Sequence, residues 1–279
     1  ERSAAGASEG VLELDALIGF LRNPCRAFVR SRLGLYLETE DEATRDREPL
    51  VLDGLEAWAL GTRLLDGGTG ALEREAAVAR ERSAGLLPPG TLGEVAFDEV
   101  AARAARVEAA RSGHGATAPD GAGRRVDVRA GEWRVEGVID GAGPVGLTLA
   151  QFGRIKPEHE LALWVRHLAL CAAADADGGP PQRSVLVGRD GAVAAFGHVA
   201  EAARRLEELV GWWRGGQALP LPLIAQASRA YAATIAGGKG ERAARRAADD
   251  AWLPARRTGW TQPGDGDDPY VRQVYRGVN

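Results

Sequence analysis

Trp133-Arg-Val-Glu-Gly137-Val-Ile-Asp140-Gly-Ala-Gly143-Pro-Val-Gly146-Leu-Thr-Leu-Ala-Gln151 decides how this chain is read. Its two halves are apolar and contain several β-branched residues, and a Gly/Pro cluster divides them, which is the pattern of strands joined by a tight turn. With the segment upstream, three strands are expected, Arg124 to Arg129, Glu132 to Asp140 and Val145 to Gln151, paired most simply as a meander. Downstream, Leu161, Leu163, Trp164, Val165, Leu168 and Leu170 are apolar over too wide an arc for a surface helix, so this helix belongs in the core. Ser184 to Val187 and Ala192 to Phe196 flank Gly188-Arg-Asp-Gly191 as a hairpin, and a helix from Val199 to Trp213 follows.

On the N-terminal side the chain reads as helix throughout. Leu12, Leu14, Leu17, Ile18 and Leu21 recur at helical spacing; Pro24 restarts a second run through Phe28, Val29 and Leu33, ended by Gly34, with arginines 22, 26, 30 and 32 on its polar side. Glu38 to Glu48 is too charged to pack and reads as an exposed loop. Leu52, Leu55, Trp58, Ala59 and Leu65 mark a helix closed by Gly67-Gly68, and helices at 69–83 and 93–111 flank the Pro88-Pro89-Gly90 turn. Gly113 to Gly123 is a Gly/Ala/Pro loop, and the last 65 residues read as helices with irregular connections. The expected organisation is an N-terminal helical part (1–112), an α/β core (113–218) and a C-terminal helical extension (219–279), packed as one unit. The fold class is α/β, a mixed sheet flanked by helices.

A chain of 279 residues, 45% apolar and 27% charged, can bury a substantial core, which excludes disordered and collagen-like classes. The net charge of −4 argues against a free-standing nucleic-acid binder, so any DNA contact must be local. Lys156 and Lys239 are the two lysines, and a skew this strong toward arginine, among so many Ala and Gly, reflects a GC-rich genome before it reflects phosphate recognition. No apolar run reaches membrane-spanning length, and the start Glu1-Arg2-Ser3 does not read as a signal peptide, so a cytoplasmic chain is expected, with no membrane partner. The lack of any methionine, even at position 1, leads to the expectation of a piece of a longer polypeptide.

Most chemical templates fail on inspection. Gly141-Ala-Gly143-Pro-Val-Gly146 spells G-x-G-x-x-G after a strand, but Leu147-Thr-Leu-Ala continues as strand rather than opening a helix toward a pyrophosphate, so it reads as a hairpin turn. Gly238-Lys239-Gly240 lacks the remaining P-loop residues and reads as a turn beside a helix. His159-Glu160 is followed by Leu163 where a zinc helix needs histidine, and His114, His159, His167 and His198 show no ligand spacing, so neither metal nor cofactor is expected; His167 reads as a satisfied polar group in the core helix. Cys25 and Cys171 cannot supply a four-thiolate site, and neither has a visible activating histidine. Metal-dependent nucleases place a carboxylate at the end of one strand and an acid and a lysine two residues apart on the next. Asp140 stands where the first acid would; Val145 to Gln151 carries neither an acid nor a lysine, and Lys156 lies beyond the strand. An active site would require Asp140, Glu136 or Glu158, and Lys156 to converge in the fold; otherwise Asp140 is structural, accepting N–H groups of the Gly141 to Gly146 turn. Trp212-Trp213 with Arg214, before Gly215-Gly216, is the candidate DNA or partner contact at a helix end, with at least one of the two rings packed in the core.

Taken together, Leu14-Asp-Ala-Leu-Ile-Gly-Phe-Leu-Arg-Asn-Pro24, Ala27-Phe28, Arg32-Leu33-Gly34, Glu48-Pro-Leu-Val-Leu-Asp53-Gly-Leu-Glu, Val135-Glu-Gly-Val-Ile-Asp140, Ala162-Leu-Trp164-Val-Arg-His167, Leu219-Pro-Leu-Pro-Leu, Trp252-Leu-Pro and Asp268-Pro-Tyr270 resemble, in order and spacing, the C-terminal domain of RecC, the gamma subunit of bacterial exodeoxyribonuclease V. The resemblance implies a PD-(D/E)XK nuclease-like core that has lost its catalytic residues, with Asp140 a vestigial position. It implies a non-catalytic scaffold in the RecBCD helicase–nuclease of DNA repair and homologous recombination. Such a scaffold docks RecB-like and RecD-like motor subunits and the rest of the RecC chain, and contributes to duplex splitting at a DNA fork. Active relatives of that fold carry histidine after a Gly-Thr pair, where Gly61-Thr-Arg-Leu-Leu65 offers leucine, and a glutamine in the helix after the core strands, where none lies between Gln151 and Gln182. The alternatives are an active Mg-dependent nuclease of the same fold, and a protein-interaction module unrelated to DNA.

Overall fold

The computed structural model describes residues 10–37, 52–67, 73–115, 123–257 and 260–277; the acidic loop expected from 38 lies outside them. The chain opens with a strand, β1 (Gly10–Glu13), which runs directly into α1 (Leu14–Arg22). Leu14, Leu17, Ile18 and Leu21 are buried at helical spacing as read, but Leu12 belongs to the strand, and the N-terminal part is therefore not all helix. Four residues contiguous with a helical stripe leave no separate period-2 signal. Asn23 divides α1 from α2 (Pro24–Leu33): its carboxamide oxygen accepts the Arg26 N–H at 2.8 Å, Pro24 takes the first helical position, where no donor is needed, and Gly34 closes the helix with φ 61°.

Three helices, α3 (Gly54–Gly67), α4 (Glu73–Ser83) and α5 (Gly90–Gly113), gather a cluster of their own around Leu60, Leu64, Val78, Phe97 and Val100. Phe152 completes it, and Gly61 lies against the Phe152 ring where a Cβ would collide. Arg63 on α3 grips Glu81 on α4 with both carboxylate oxygens engaged (2.6 Å at the shortest), and the Glu81 side chain is only 2% exposed.

The central strands are β2 (Arg124–Ala130), β3 (Trp133–Ile139), β4 (Ala142–Gly143) and β5 (Gly146–Ala150); then come α6 (Pro157–Asp177), β6 (Arg183–Val187), β7 (Val193–Phe196) and α7 (Ala202–Ala218). β2 and β3 form the expected antiparallel hairpin, but the meander ends there. β3 already has β2 on one edge and β1, parallel, on the other, so β5 has no free edge to join. It turns back through β4 and pairs in parallel with β6, giving a second mixed sheet in the order β4-β5-β6-β7. Gly146 makes the switch feasible: with φ 143° and no Cβ, it lets the Arg183 carbonyl approach to a position any side chain would occupy. The G-x-G-x-x-G stretch is thus a hairpin turn between Gly143 and Gly146, as read.

α6 is the core helix the sequence called for. Leu163, Val165, Leu168 and Leu170 are buried in one cluster with Leu17 and Leu21 of α1, Val126 and Val135 of the first sheet, Leu147 and Leu186 of the second, and Leu206 of α7. The outer face of the first sheet, with Arg125, Asp127, Arg134, Glu136 and Val138, carries no buried residue. The helix α7 continues through Gly215-Gly216 to Ala218, so these glycines do not end it; Gly216 lies against the Phe20 ring, where a Cβ would collide, and serves close helix packing. Beyond it, α8 (Ala225–Ala236) and α9 (Glu241–Trp252) pack on each other around the Gly238-Lys239-Gly240 turn. The extension is not purely helical: β8 (Ala255–Arg257) pairs with β9 (Trp260–Gln262) before a 3-10 turn at Asp265–Asp267 and α10 (Pro269–Val274). The last helix returns to α2, where Tyr270 and Val271 bury Cys25 and Val29.

Candidate functional site

Asp140 follows β3 and is exposed, beside Gly123, whose missing Cβ leaves room for the carboxylate. It does not accept hydrogen bonds from the Gly141 to Gly146 turn among the described residues, contrary to expectation: Gly141 takes φ 73°, and the turn is organised by the β4–β5 ladder instead. On α6, Arg166 meets Asp15 of α1 at 3.4 Å. Burial holds the Arg166 pKa below the usual guanidinium value, while Asp15 and Asp140 favour its charged form and Arg22 opposes it.

Among the described residues Glu136 and Glu158 form no acid cluster with Asp140. Glu136 is on the outer sheet face, across from Asp127. Lys156 stands at the N-cap position of α6, and its side chain, 66% exposed, brings the ammonium to 3.8 Å from Glu158. β5 carries neither an acid nor a lysine: it is Gly146-Leu-Thr-Leu-Ala150, with Leu147 and Thr148 buried. Among the described residues no three His, Cys, Asp or Glu side chains converge as a metal site would need.

Two histidines have structural work. His159 Nδ1 faces the Lys156 N–H at 3.2 Å and the Gln151 side-chain amide at 2.9 Å, so it acts as the acceptor that organises the start of α6. His167 is fully buried between Ser184 Oγ (2.9 Å) and the Gly197 carbonyl (2.7 Å), the satisfied core histidine that was expected. Burial lowers the pKa of both.

Trp212 and Trp213 diverge as neighbours on a helix must. The Trp213 ring meets Trp133 of β3 edge to face, with centroids 5.2 Å apart at 73°, while Trp212 is 49% exposed and Arg214 is exposed. They lie within α7, more than a turn before its end.

A further group was legible in the sequence only as polar lining of α2. Arg26 and Arg30, one turn apart, both lie over the Tyr270 ring, 5.7 and 5.3 Å from its centroid, and Arg30 Nε donates to Tyr270 Oη at 3.1 Å. Arg30 also lies 5.1 Å from the centroid of Tyr36. Tyr270 stands far from α2 in sequence, and no local pattern could announce the contact.

Fold and site together define an α/β domain of two mixed sheets around a buried helix, with its exposed polar groups dispersed over several elements. The family model of the RecC C-terminal domain matches residues 9–236, and the chain belongs to that family. It is similar to the RecBCD enzyme subunit RecC of Escherichia coli K12, 27% identical over 276 residues, and to that of Mycobacterium tuberculosis H37Rv, 30% identical over 270 residues. These alignments cover 94% and 91% of this chain but 23% and 22% of the relatives, so the chain spans less than a quarter of their length. The corresponding subunit of Mycolicibacterium smegmatis is 29% identical over 228 residues. No described helix is long and apolar enough to cross a membrane.

Proposed function

We propose that this chain is a non-catalytic scaffold domain of a RecBCD-type helicase–nuclease, in the cytoplasm, with a PD-(D/E)XK-like core that no longer cleaves. It docks RecB-like and RecD-like motor subunits and the remainder of a RecC chain, and contributes to splitting the duplex in double-strand-break repair. The observation that carries the reading is β5, which follows Asp140 in the chain: Gly146, Leu147, Thr148, Leu149 and Ala150 include neither the acid nor the lysine that catalysis would need. Membership of the RecC C-terminal domain family supports the assignment to that complex.

Docking is assigned to the C-terminal extension, where Leu219, Ile235 and Leu253 are exposed large apolar side chains. The test is capture of the two motor subunits by a RecC chain carrying Leu219→Glu, Ile235→Glu and Leu253→Glu, with unwinding of forked DNA as the second readout. Loss of capture at unchanged thermal stability is expected. Undiminished capture and unwinding would overturn the docking assignment.

A further inference from the structure

We infer that the free edge of β7 takes up an extended segment of a RecC chain outside this domain, as a fifth strand of the second sheet. This rests on the scaffold role proposed above and names where the rest of such a chain docks. β6 and β7 are antiparallel, with Leu186 opposite Ala194 and Val185 opposite Ala195, and the Gly188 N–H donates to the Ala192 carbonyl at 2.9 Å, which sets the alternation of the ladder. Ala194 and Phe196 therefore exchange hydrogen bonds with β6, while the N–H and C=O groups of Val193 and Ala195 point away from it. The Val187 carbonyl, on the residue opposite Val193, accepts the Gln151 N–H at 2.9 Å on the other side of β6, as that alternation requires. Among the described residues no hydrogen bond is made to the outward groups of Val193 and Ala195.

Sheet edges are ordinarily blunted by charge or by brevity. β2 presents Arg125, Asp127 and Arg129 outward, β1 ends in Glu13 and runs straight into α1, and β4 has two residues. β7 is Val-Ala-Ala-Phe, uncharged throughout, with Val193 45% exposed and Ala195 exposed. It is also held in place from behind. Ala194 and Phe196 pack on the main core, Phe196 meets Trp164 edge to face at 5.0 Å, and the Gly197 carbonyl just beyond is fixed by His167. An added strand thus finds an ordered template.

The small size of the edge selects the occupant. Two donors and two acceptors contribute modestly after exchange with water, too little to offset the translational and rotational freedom that a separate molecule loses on binding. A segment tethered to the domain is spared most of that loss, because the linkage keeps it at high effective concentration. The relatives carry such a tethered partner: this chain spans less than a quarter of their length, and its family is the C-terminal domain of RecC. Beside Val193 and Ala195 the segment is extended, uncharged and free of proline at its pairing positions.

The experiment compares hydrogen–deuterium exchange of peptides covering residues 192–197 in this chain and in a full-length RecC that contains it, both without motor subunits. The Val193 and Ala195 amides should exchange at least about tenfold more slowly in the full-length protein. Ala195→Pro removes an outward N–H that the sheet itself does not use, so the thermal midpoint of this chain should stay within about 2 °C of the parent. In the full-length protein the same change should cost one segment outside the domain its protection, and that segment is the added strand. Val193→Lys, which leaves the backbone intact, should act likewise and serves as the test if proline disturbs the fold. Equal exchange in the two lengths, or no responding segment outside the domain, would overturn the inference. So would protection that appears only when motor subunits are added, or that depends on the concentration of this chain alone; these would make a motor subunit or a second copy the occupant. Capture of the motor subunits by the same full-length variants reports separately on the scaffold role, which stands if capture is normal while β7 shows no protection.

Discussion

His167 Nδ1 lies 2.9 Å from Ser184 Oγ, and its other ring nitrogen lies 2.7 Å from the Gly197 carbonyl, so one imidazole ties α6 to β6 and to the segment after β7. A carbonyl oxygen only accepts, so Nε2 carries the proton and Nδ1 receives the serine hydroxyl. The neutral ring is fully satisfied in this arrangement, and a second proton would oppose the Ser184 donor.

Stability should therefore fall on acidification. Burial holds His167 and His159 below the ordinary value of 6.5, so below that pH the unfolded chain binds protons that the folded chain refuses. Their contribution is full above about pH 7 and is lost progressively as pH falls through about 6.5 toward the folded values. Urea midpoints at about pH 7.5 and about pH 5.5 measure it, and His167→Gln should shrink the difference. A parent that gains stability over this interval would contradict the assignment.

Replacing Arg63 with methionine leaves the buried Glu81 carboxylate without its main partner. Because Arg63 is itself partly exposed, the expected cost is about 1–3 kcal/mol rather than that of a fully buried pair. Adding Glu81→Leu should recover most of the loss, and equilibrium unfolding of both variants gives the comparison.

Two glycines should respond oppositely to alanine. Gly146→Ala drives a Cβ into the Arg183 backbone at φ 143° and should cost at least about 2 kcal/mol. Gly211, inside α7 with open space around its Cα, should gain about 0.4–1 kcal/mol from the same change. Similar midpoints for the two variants would show that the β5 switch does not depend on this approach.

Asp140→Ala should change stability by less than about 0.5 kcal/mol, since the side chain is exposed. In a Mg²⁺ or Mn²⁺ titration with linear duplex and single strands, neither parent nor variant is expected to cleave. Metal-dependent cleavage by the parent that disappears in the variant would replace the scaffold reading with an active nuclease.

Trp213→Ala should cost about 3–5 kcal/mol, because it removes the ring that packs on Trp133 and the core. Trp212→Ala should leave the unfolding midpoint within about 0.5 kcal/mol and affect only binding to a motor subunit or DNA. Calorimetry on the pair separates the structural ring from the available one.

Elements with their own periodicity were legible in the sequence: α1 and α2 around Asn23, the apolar α6, the β2–β3 and β6–β7 hairpins. What escaped was decided by partners distant in sequence. β1 is a strand only because β3 offers it an edge, and β5 joins β6 only because β3 is already paired on both sides. Gly215-Gly216 looked like a helix stop because the close approach of Phe20 is invisible locally. Of the candidate site, Asp140 was legible just after its strand, and one ring of the Trp212-Trp213 pair was expected to pack without the sequence choosing which, while the arginine and tyrosine cluster around α2 depends on Tyr270, a residue 240 positions from Arg30.

The pairing of Gly10 with Trp133, and of Asn23 with Asp268, also sets an order of events. Both close very long loops, whose entropy must be lost before the pairings stabilise anything, which favours slow folding. During synthesis the first sheet lacks its central strand until residue 139 has emerged, and the Cys25–Val29 face of α2 is incompletely covered until Tyr270 and Val271 are made. Nascent chains halted before that point should present this apolar face to chaperones, while the α3–α5 cluster, closed mainly by its own helices, can already be compact.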